Sequence, residues 1–570
     1  MASNLFATKS LEAITGDIEK SKGLKRTLTA LDLTLLGIGA IIGTGIFVLT
    51  GTAAANQAGP AITLSYVLAG LACAFAAFCY AEFASMIPVA GSAYTYAYAT
   101  LGEVIAWMIG WDLILEYAVG SMTVAIGWSG NFQRVLGSLG ITLPTWMQAG
   151  PGILPGAIIN LPAVIIVLLI MVLLVIGVRE SARFNAGMVF VKLLAVLIFL
   201  GVGFSHVQAA NWQPYTPYGW SGVMGAAAVV FFAYIGFDAV STTAEEAKNP
   251  QRDLPIGIIA SLGICTVLYI AVAAVLSGIV PVTQYRSLQA SLPGAVVQSP
   301  QEVTRFLNAP VGYVLGSLHI GWADALVSAG AVAGITSVLL VMLMSQPRIF
   351  FSMSRDRLLP PGISKVHPKF GTPYITTIIT CVVVALVAGL TRIEVVGEMT
   401  SIGTLFAFVV VCAAVMVLRL TRPDVKRPFT APGGQATPIL GVISCAYLML
   451  SLAVLTWVRF LVWLDLGMLI YWFYSRTHSP LYNAELEGKK NSTDRRNDFL
   501  TMWGGLGLFN GVWVAAVGLM TVLGITSETT AKWHEITWPT TISAEQATIA
   551  GFAILVVSGT LFFMGRPKKA

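Results

Sequence analysis

From Leu33 to Tyr80 the chain carries no charged side chain. A water-soluble fold cannot leave so long a run without charge. A bilayer core, by contrast, is crossed by about 20 apolar residues per helix, so the run holds two membrane spans, divided at the Gly59-Pro60 turn signal. The same balance extends over the whole chain of 570 residues, which is 56% hydrophobic and only 11% charged, against about 25% charged in soluble domains. The expected fold class is therefore all-α and integral to the membrane. Fourteen candidate spans can be placed, at about 30–52, 61–87, 104–130, 158–178, 184–205, 222–243, 255–280, 323–352, 374–391, 398–419, 436–457, 459–475, 500–524 and 546–565. The eleventh and twelfth lie so close that a tight turn must join them.

Orientation follows from Lys and Arg, which favour the cytoplasmic side. With the N-terminal tail inside, 26 of the 33 Lys and Arg fall inside and six outside (Arg134, Arg286, Arg305, Arg392, Arg459 and Lys532), leaving Lys192 within a span. The chain is expected in the cell (plasma) membrane with both termini in the cytoplasm, and compact external loops point to a bacterial inner membrane. The first apolar run is too long for a signal peptide and lacks a cleavage-like flank, so none is expected. The net charge of +6 is this positive-inside bias and gives a nucleic-acid partner nothing to bind. The six cysteines (Cys73, Cys79, Cys265, Cys381, Cys412 and Cys445) all fall within spans and read as packing residues without disulfides.

The chain divides into a polar tail (1–29), ten spans in two sets of five (30–206 and 207–420), spans eleven and twelve (421–476), a polar cytoplasmic linker (477–499), and two further spans with a C-terminal tail (500–570). Between the second and third spans, the aromatic stretch Gly91–Glu103 reads as a helix lying along the cytoplasmic interface.

Two spans are punctuated by small residues near mid-membrane: "GIGAIIGTGIF" (Gly37–Phe47) in the first and "FFAYIGFDAVSTTAEE" (Phe231–Glu246) in the sixth. The first starts inside and the sixth outside. Interrupted helices five spans apart with opposite direction are the signature of an inverted repeat, whose binding site lies where the breaks meet. The competing reading is close helix packing, since Gly39 and Gly43 form a G-x-x-x-G pair. Gly43-Thr44-Gly45 goes beyond that stripe. An unwound turn exposes N–H groups at the positive end of a half-helix, which suits a carboxylate. Exposed carbonyls in the sixth span suit an ammonium group. Together they suit the zwitterionic backbone of a free amino acid.

These two motifs, with "SRDRLLP" (Ser354–Pro360), closely resemble the amino acid–polyamine–organocation superfamily and, within it, bacterial members of the cationic amino acid transporter family. The resemblance covers about residues 25–475, and two added C-terminal spans agree with fourteen-span members. It implies a five-plus-five inverted repeat that alternates access around a central amino-acid site. It further implies that Ile41, Thr44 and Gly45 hold the substrate carboxylate and that Phe232, Ala233 and Ile235 offer carbonyls to its amino group.

Lys192 lies about eight residues into the fifth span, roughly 12 Å deep. A charge there is costly and marks function by default. Taking a lysine out of water disfavours its charged form, which would let it exchange a proton near neutral pH. The resemblance implies a lysine here in place of the sodium ion of sodium-coupled relatives, so Lys192 is read as the proton-coupling residue, against a structural or snorkelling lysine. In the third span, Asp112 and Glu116 share a helical face. The resemblance points to Glu116 as a contact for the substrate side chain; the alternative is a satisfied buried acid, the reading favoured for Asp112. Met342, in the eighth span, looks like the residue that sets pocket depth in this family, where a bulky side chain favours small amino acids; it is equally readable as packing. Thr336 and Ser337 are candidates to bond Lys192. Glu245 and Glu246 are either an inner gate or a solvated face.

The leading expectation is a proton-coupled amino-acid importer, for cationic or small neutral substrates, with no cofactor beyond the proton gradient. An amino acid or polyamine exchanger and a non-transporting amino-acid receptor are the alternatives. No H-E-x-x-H, G-x-S-x-G or Walker A motif supports an enzyme or a nucleotide-driven pump, and the five histidines are scattered without ligand spacing. Membrane lipid is an expected partner; the oligomeric state is not legible.

Overall fold

The computed structural model describes Thr8 and residues 28–480, apart from 88–91, 177–181, 245–246, 287–297, 364, 366, 369–371 and 453. The expected thirteenth and fourteenth spans, the linker beyond residue 480, most of the N-terminal tail, and Glu245 and Glu246 lie outside the described residues. Within them the fold is helical, and an isolated bridge between Leu28 and Ala247 is its one extended pairing.

Eight helices are long and apolar enough to cross a membrane. One of them, Gly45–Met86, combines the second half of the first expected span with the whole of the second; the chain turns between them at Gly59, whose φ of 62° suits glycine. Four shorter apolar helices, Ala30–Ile41, Leu161–Ile176, Tyr374–Leu390 and Ala436–Leu450, complete a set that matches expected spans one to twelve in order. The chain is a multi-pass membrane protein. The eleventh and twelfth spans, Ala436–Leu450 and Val454–Ile470, are joined by three residues, the tight turn expected.

Local chemistry accounts for where the key helices begin and stop. The first starts at a capping box: the Thr29 hydroxyl accepts from the Asp32 N–H while the Asp32 carboxylate accepts from the Thr29 N–H at 2.9 Å. It stops at Ile42, whose ψ of 103° is extended, and resumes as a π-helical turn at Gly45–Leu49. The sixth runs as an α-helix over Gly219–Val230, tightens to 3₁₀ over Phe231–Tyr234 and breaks at Ile235 and Gly236, the latter at φ 122°. A short helix, Ala239–Thr242, follows. The seventh, Pro250–Ile279, opens with a proline in its first turn, where the missing N–H costs nothing.

The stretch after the second span does form a helix, Ser92–Thr100. It is not a ribbon on the surface: Tyr94, Tyr96 and Tyr98 are buried, and Tyr94 and Tyr98 donate to Asp356 and Glu103. Glu103 also accepts from the hydroxyl of Tyr471 at 3.0 Å, which draws the end of the twelfth span against the third. Reciprocal indole-to-carbonyl bonds between Trp111 and Trp463 do the same two turns further on.

Candidate functional site

The first helix ends with carbonyls that have no intrahelical donor, and its C-terminal end carries partial negative charge. The chain answers with a cation. Lys192, from the fifth span Ala182–Phe204, is fully buried, and its ammonium donates to the carbonyls of Gly39 at 2.6 Å and Ile42 at 2.9 Å and to the Ser337 hydroxyl at 3.0 Å. All three ammonium donors are used. Gly334 makes room for the lysine stem, since a Cβ there would come within 2.9 Å of Lys192 Cβ. Thr336 does not take part. Its hydroxyl accepts from the Trp128 indole at 2.8 Å and donates to Val332, because one residue along a helix turns the side chain to another face.

Another carbonyl of the last turn, on Ile41, accepts from the Tyr269 hydroxyl at 2.9 Å. The same oxygen of Tyr269 lies 2.8 Å from the carbonyl of Ala233, at the break in the sixth span. One side chain of the seventh span therefore touches both interrupted helices. Tyr269 was not among the residues singled out in the sequence. A signal existed: a tyrosine deep in an apolar span must find a partner for its hydroxyl.

The two breaks also interlock through glycine. A Cβ on Gly45 would overlap the Cα of Ala233, and one on Gly236 would sit 2.8 Å from the carbonyl carbon of Ala40. Each broken helix thus supplies the glycine against which the other packs. Gly43 faces Val338 of the eighth span, so the first-span glycines serve close approach as well as unwinding.

Past the break, the backbone N–H groups of Gly43 and Thr44 have no acceptor among the described residues. The Thr44 side chain is directed elsewhere, its hydroxyl 3.4 Å from the Val124 carbonyl of the third span. Opposite, the Phe232 carbonyl accepts from the Ile235 N–H at 3.2 Å, and the Ala233 carbonyl takes the Tyr269 hydroxyl. Ile41, Thr44, Gly45, Phe232, Ala233 and Ile235 are all buried at this junction.

On the third span, Glu103–Ser138, Asp112 and Glu116 are buried, and their four carboxylate oxygens lack a close hydrogen-bond partner among the described residues. Asp112 faces the tenth span at Gly403, and the Thr404 hydroxyl lies beside Glu116. One turn along the same face from Glu116, Gly120 faces the Met342 sulfur, which a Cβ there would meet at 3.2 Å. Met342 and Glu116 are thus neighbours on one wall.

An ion pair brackets this region at each end. At one, Arg134 donates to Asp324 through Nε at 2.9 Å and through its NH2 group at 2.8 Å, and reaches the Gly312 carbonyl at 3.1 Å; its guanidinium also lies 5.5 Å from the Tyr313 ring. The short helices Pro300–Asn308 and Pro310–Ser317 are thereby pinned over the first span, against Gly51. At the other end Glu82 binds Arg419 and accepts from the Ala431 N–H at 2.8 Å, holding the chain after the tenth span beneath the second. No cluster of side chains able to hold a metal is found among the described residues.

A multi-pass helical chain with two interlocked mid-membrane breaks, one capped by a buried lysine, has the architecture of a membrane permease. The chain belongs to the amino acid permease family, whose model matches residues 28–476. It is 49% identical over 483 residues to the branched-chain amino acid permease BcaP of Bacillus subtilis (strain 168), covering 84% of this chain and 100% of that one. It is 47% identical over 479 residues to the methylthioribose transporter of the same organism, covering 84% and 99%. It is 38% identical over 409 residues to the vacuolar cationic amino acid transporter 4 of Arabidopsis thaliana, covering 70% of this chain and 64% of that protein.

Proposed function

We propose that this permease imports amino acids together with protons by alternating access, with spans one to five and six to ten forming an inverted repeat about the two breaks. The observation that carries the reading is the seat of Lys192. Its ammonium stands at the carboxyl end of a half-helix, where a transported cation would otherwise neutralise the dipole. Loss of its proton removes the attraction that holds Gly39 and Ile42 in place, so protonation is coupled to the shape of the first helix. The substrate carboxylate is received by the N–H groups of Gly43 and Thr44 ahead of Gly45. Its amino group is received by carbonyls of the Phe232–Ile235 turn.

The favoured substrates are neutral aliphatic amino acids. Met342 fills the space over Gly120 and shortens the wall on which Glu116 lies, and the relative BcaP is named for branched-chain substrates. The chain is read as lying in the plasma membrane with both described ends on the cytoplasmic side.

The test is uptake by liposomes holding the purified chain, with labelled valine, alanine, arginine and methylthioribose, with and without an inward proton gradient. Gradient-driven accumulation of valine and alanine is expected, with arginine at least ten-fold slower. Uptake only into liposomes preloaded with amino acid would make the chain an exchanger, and accumulation of methylthioribose alone would overturn the substrate assignment.

A further inference from the structure

The seventh span has an open face that runs continuously from its first turn toward mid-membrane. At the first turn, a cavity of about 610 Å³ lies between Arg252, Ile256 and Ile259 and the loop residues Pro428 and Phe429. Beyond it, a cavity of about 360 Å³ lies between the second and seventh spans, over Gly70, Ala74, Ile259, Gly263 and Thr266. Ile259 lines both, so the two form one groove. From Arg252 to Thr266 the helix rises roughly 21 Å at 1.5 Å per residue. That compares with half of an approximately 30 Å hydrocarbon core plus part of the headgroup layer.

The groove is apolar and narrow, with a floor of small residues and exposed rims at Leu71 and Val267. Its charge is confined to one end. Arg252 is exposed, and its guanidinium has no ion pair or hydrogen bond among the described residues. The neighbouring carboxylate, Asp253, is turned back onto the Asn249 N–H at 3.3 Å, and Arg427 beside the loop is committed to Glu82 and to loop carbonyls. A cation at headgroup depth without an ion pair among the described residues, followed by an apolar channel one leaflet deep, matches a phosphate joined to an acyl chain. A helix from a second protein would need a wider trough, and a neutral lipid would leave the cation unanswered.

We propose that this groove is a binding site for an anionic phospholipid, with the phosphate on Arg252 and one acyl chain along Ile259, Gly263 and Ala74. The site adjoins the transport machinery. A Cβ on Gly70 would come within 2.9 Å of the Tyr234 hydroxyl, which donates to the Tyr66 carbonyl at 2.8 Å from within the broken sixth span. An acyl chain in the groove therefore presses on the wall that holds that break.

The test is native mass spectrometry of the purified full chain titrated with phosphatidylglycerol or phosphatidylcholine, on the wild type, Arg252→Gln and Gly263→Leu. A Cβ at Gly263 meets nothing within 4 Å, so a leucine there fills the groove without displacing protein. The wild type should retain phosphatidylglycerol in preference to phosphatidylcholine. Arg252→Gln should lower phosphatidylglycerol retention about five-fold, to the level of the neutral lipid, and Gly263→Leu should lower retention of both. Equal retention of the two lipids by the wild type, or phosphatidylglycerol retention unchanged in both variants, would overturn the proposal.

Discussion

Two sets of buried ionisable side chains lie within the core of this permease, and they are treated in opposite ways. Lys192 has a partner for each of its three donors. Asp112 and Glu116, on the third span, have no close partner for their four oxygens among the described residues. An unpaired buried charge is expensive, whereas a paired one with all its hydrogen bonds made is tolerated. The lysine is therefore part of the fold in this conformation, and it closes the end of the first half-helix. In the proposed mechanism the carboxyl groups are the side chains left to meet a positive charge, a proton or the cationic end of a ligand. On the proposed reading, the difference separates a residue that couples protonation to shape from residues that shape what is bound.

This contrast can be attacked from several sides. The largest effect is expected where the lysine's target is held in place. Gly236→Val forces a side chain onto Ala40 at a positive φ that valine does not adopt, so transport should be lost entirely and the thermal unfolding midpoint should fall, as read in reconstituted uptake and detergent melts. Tyr269→Phe removes the hydroxyl that serves both breaks. At about 1 kcal/mol per hydrogen bond, uptake at low substrate should drop roughly ten-fold with the protein still folded. Ser337→Ala takes away one of three lysine partners and leaves both carbonyls, and a fall of about three- to five-fold in initial rate is expected. The smallest effect is expected on the unpartnered side. Asp112→Asn keeps the shape and removes only a group with nothing to lose, so the unfolding midpoint should hold or rise slightly; a marked drop would mean that Asp112 has a partner in the membrane-embedded protein.

Much of this architecture was legible in the sequence, for identifiable reasons. The charge-free run before Tyr80 and the Lys and Arg asymmetry define spans and order because burial in lipid leaves little chemical freedom. The breaks were legible because glycine beside Thr44 and after Ile235 goes beyond what packing alone needs. Lys192 was legible because a charge so deep in an apolar span stands out, and Ser337 only as one of two neighbouring hydroxyls that could meet it. The contacts that join distant segments were not. Nothing local says that Tyr269 spans both breaks, that Glu82 meets Arg419, or that Arg134 meets Asp324, because each pair is brought together only by the helix packing. Thr336 shows the same limit at close range: Trp128 claims its hydroxyl, and a one-residue shift in helical phase decides the partner. The capping box at Thr29 and Asp32 is readable from its spacing alone.

The central claim is that the proton carried with substrate resides on Lys192. It is tested most directly by comparing two modes of transport in the same Lys192→Met liposomes: accumulation driven by an inward proton gradient, and counterflow of labelled valine against internal valine with no gradient. The account predicts that gradient-driven accumulation disappears while counterflow persists at a measurable rate, because the binding groups of the two breaks remain. Accumulation that still follows the proton gradient in that variant would contradict it and move the coupling to another group, with Glu116 and Asp112 the first to examine.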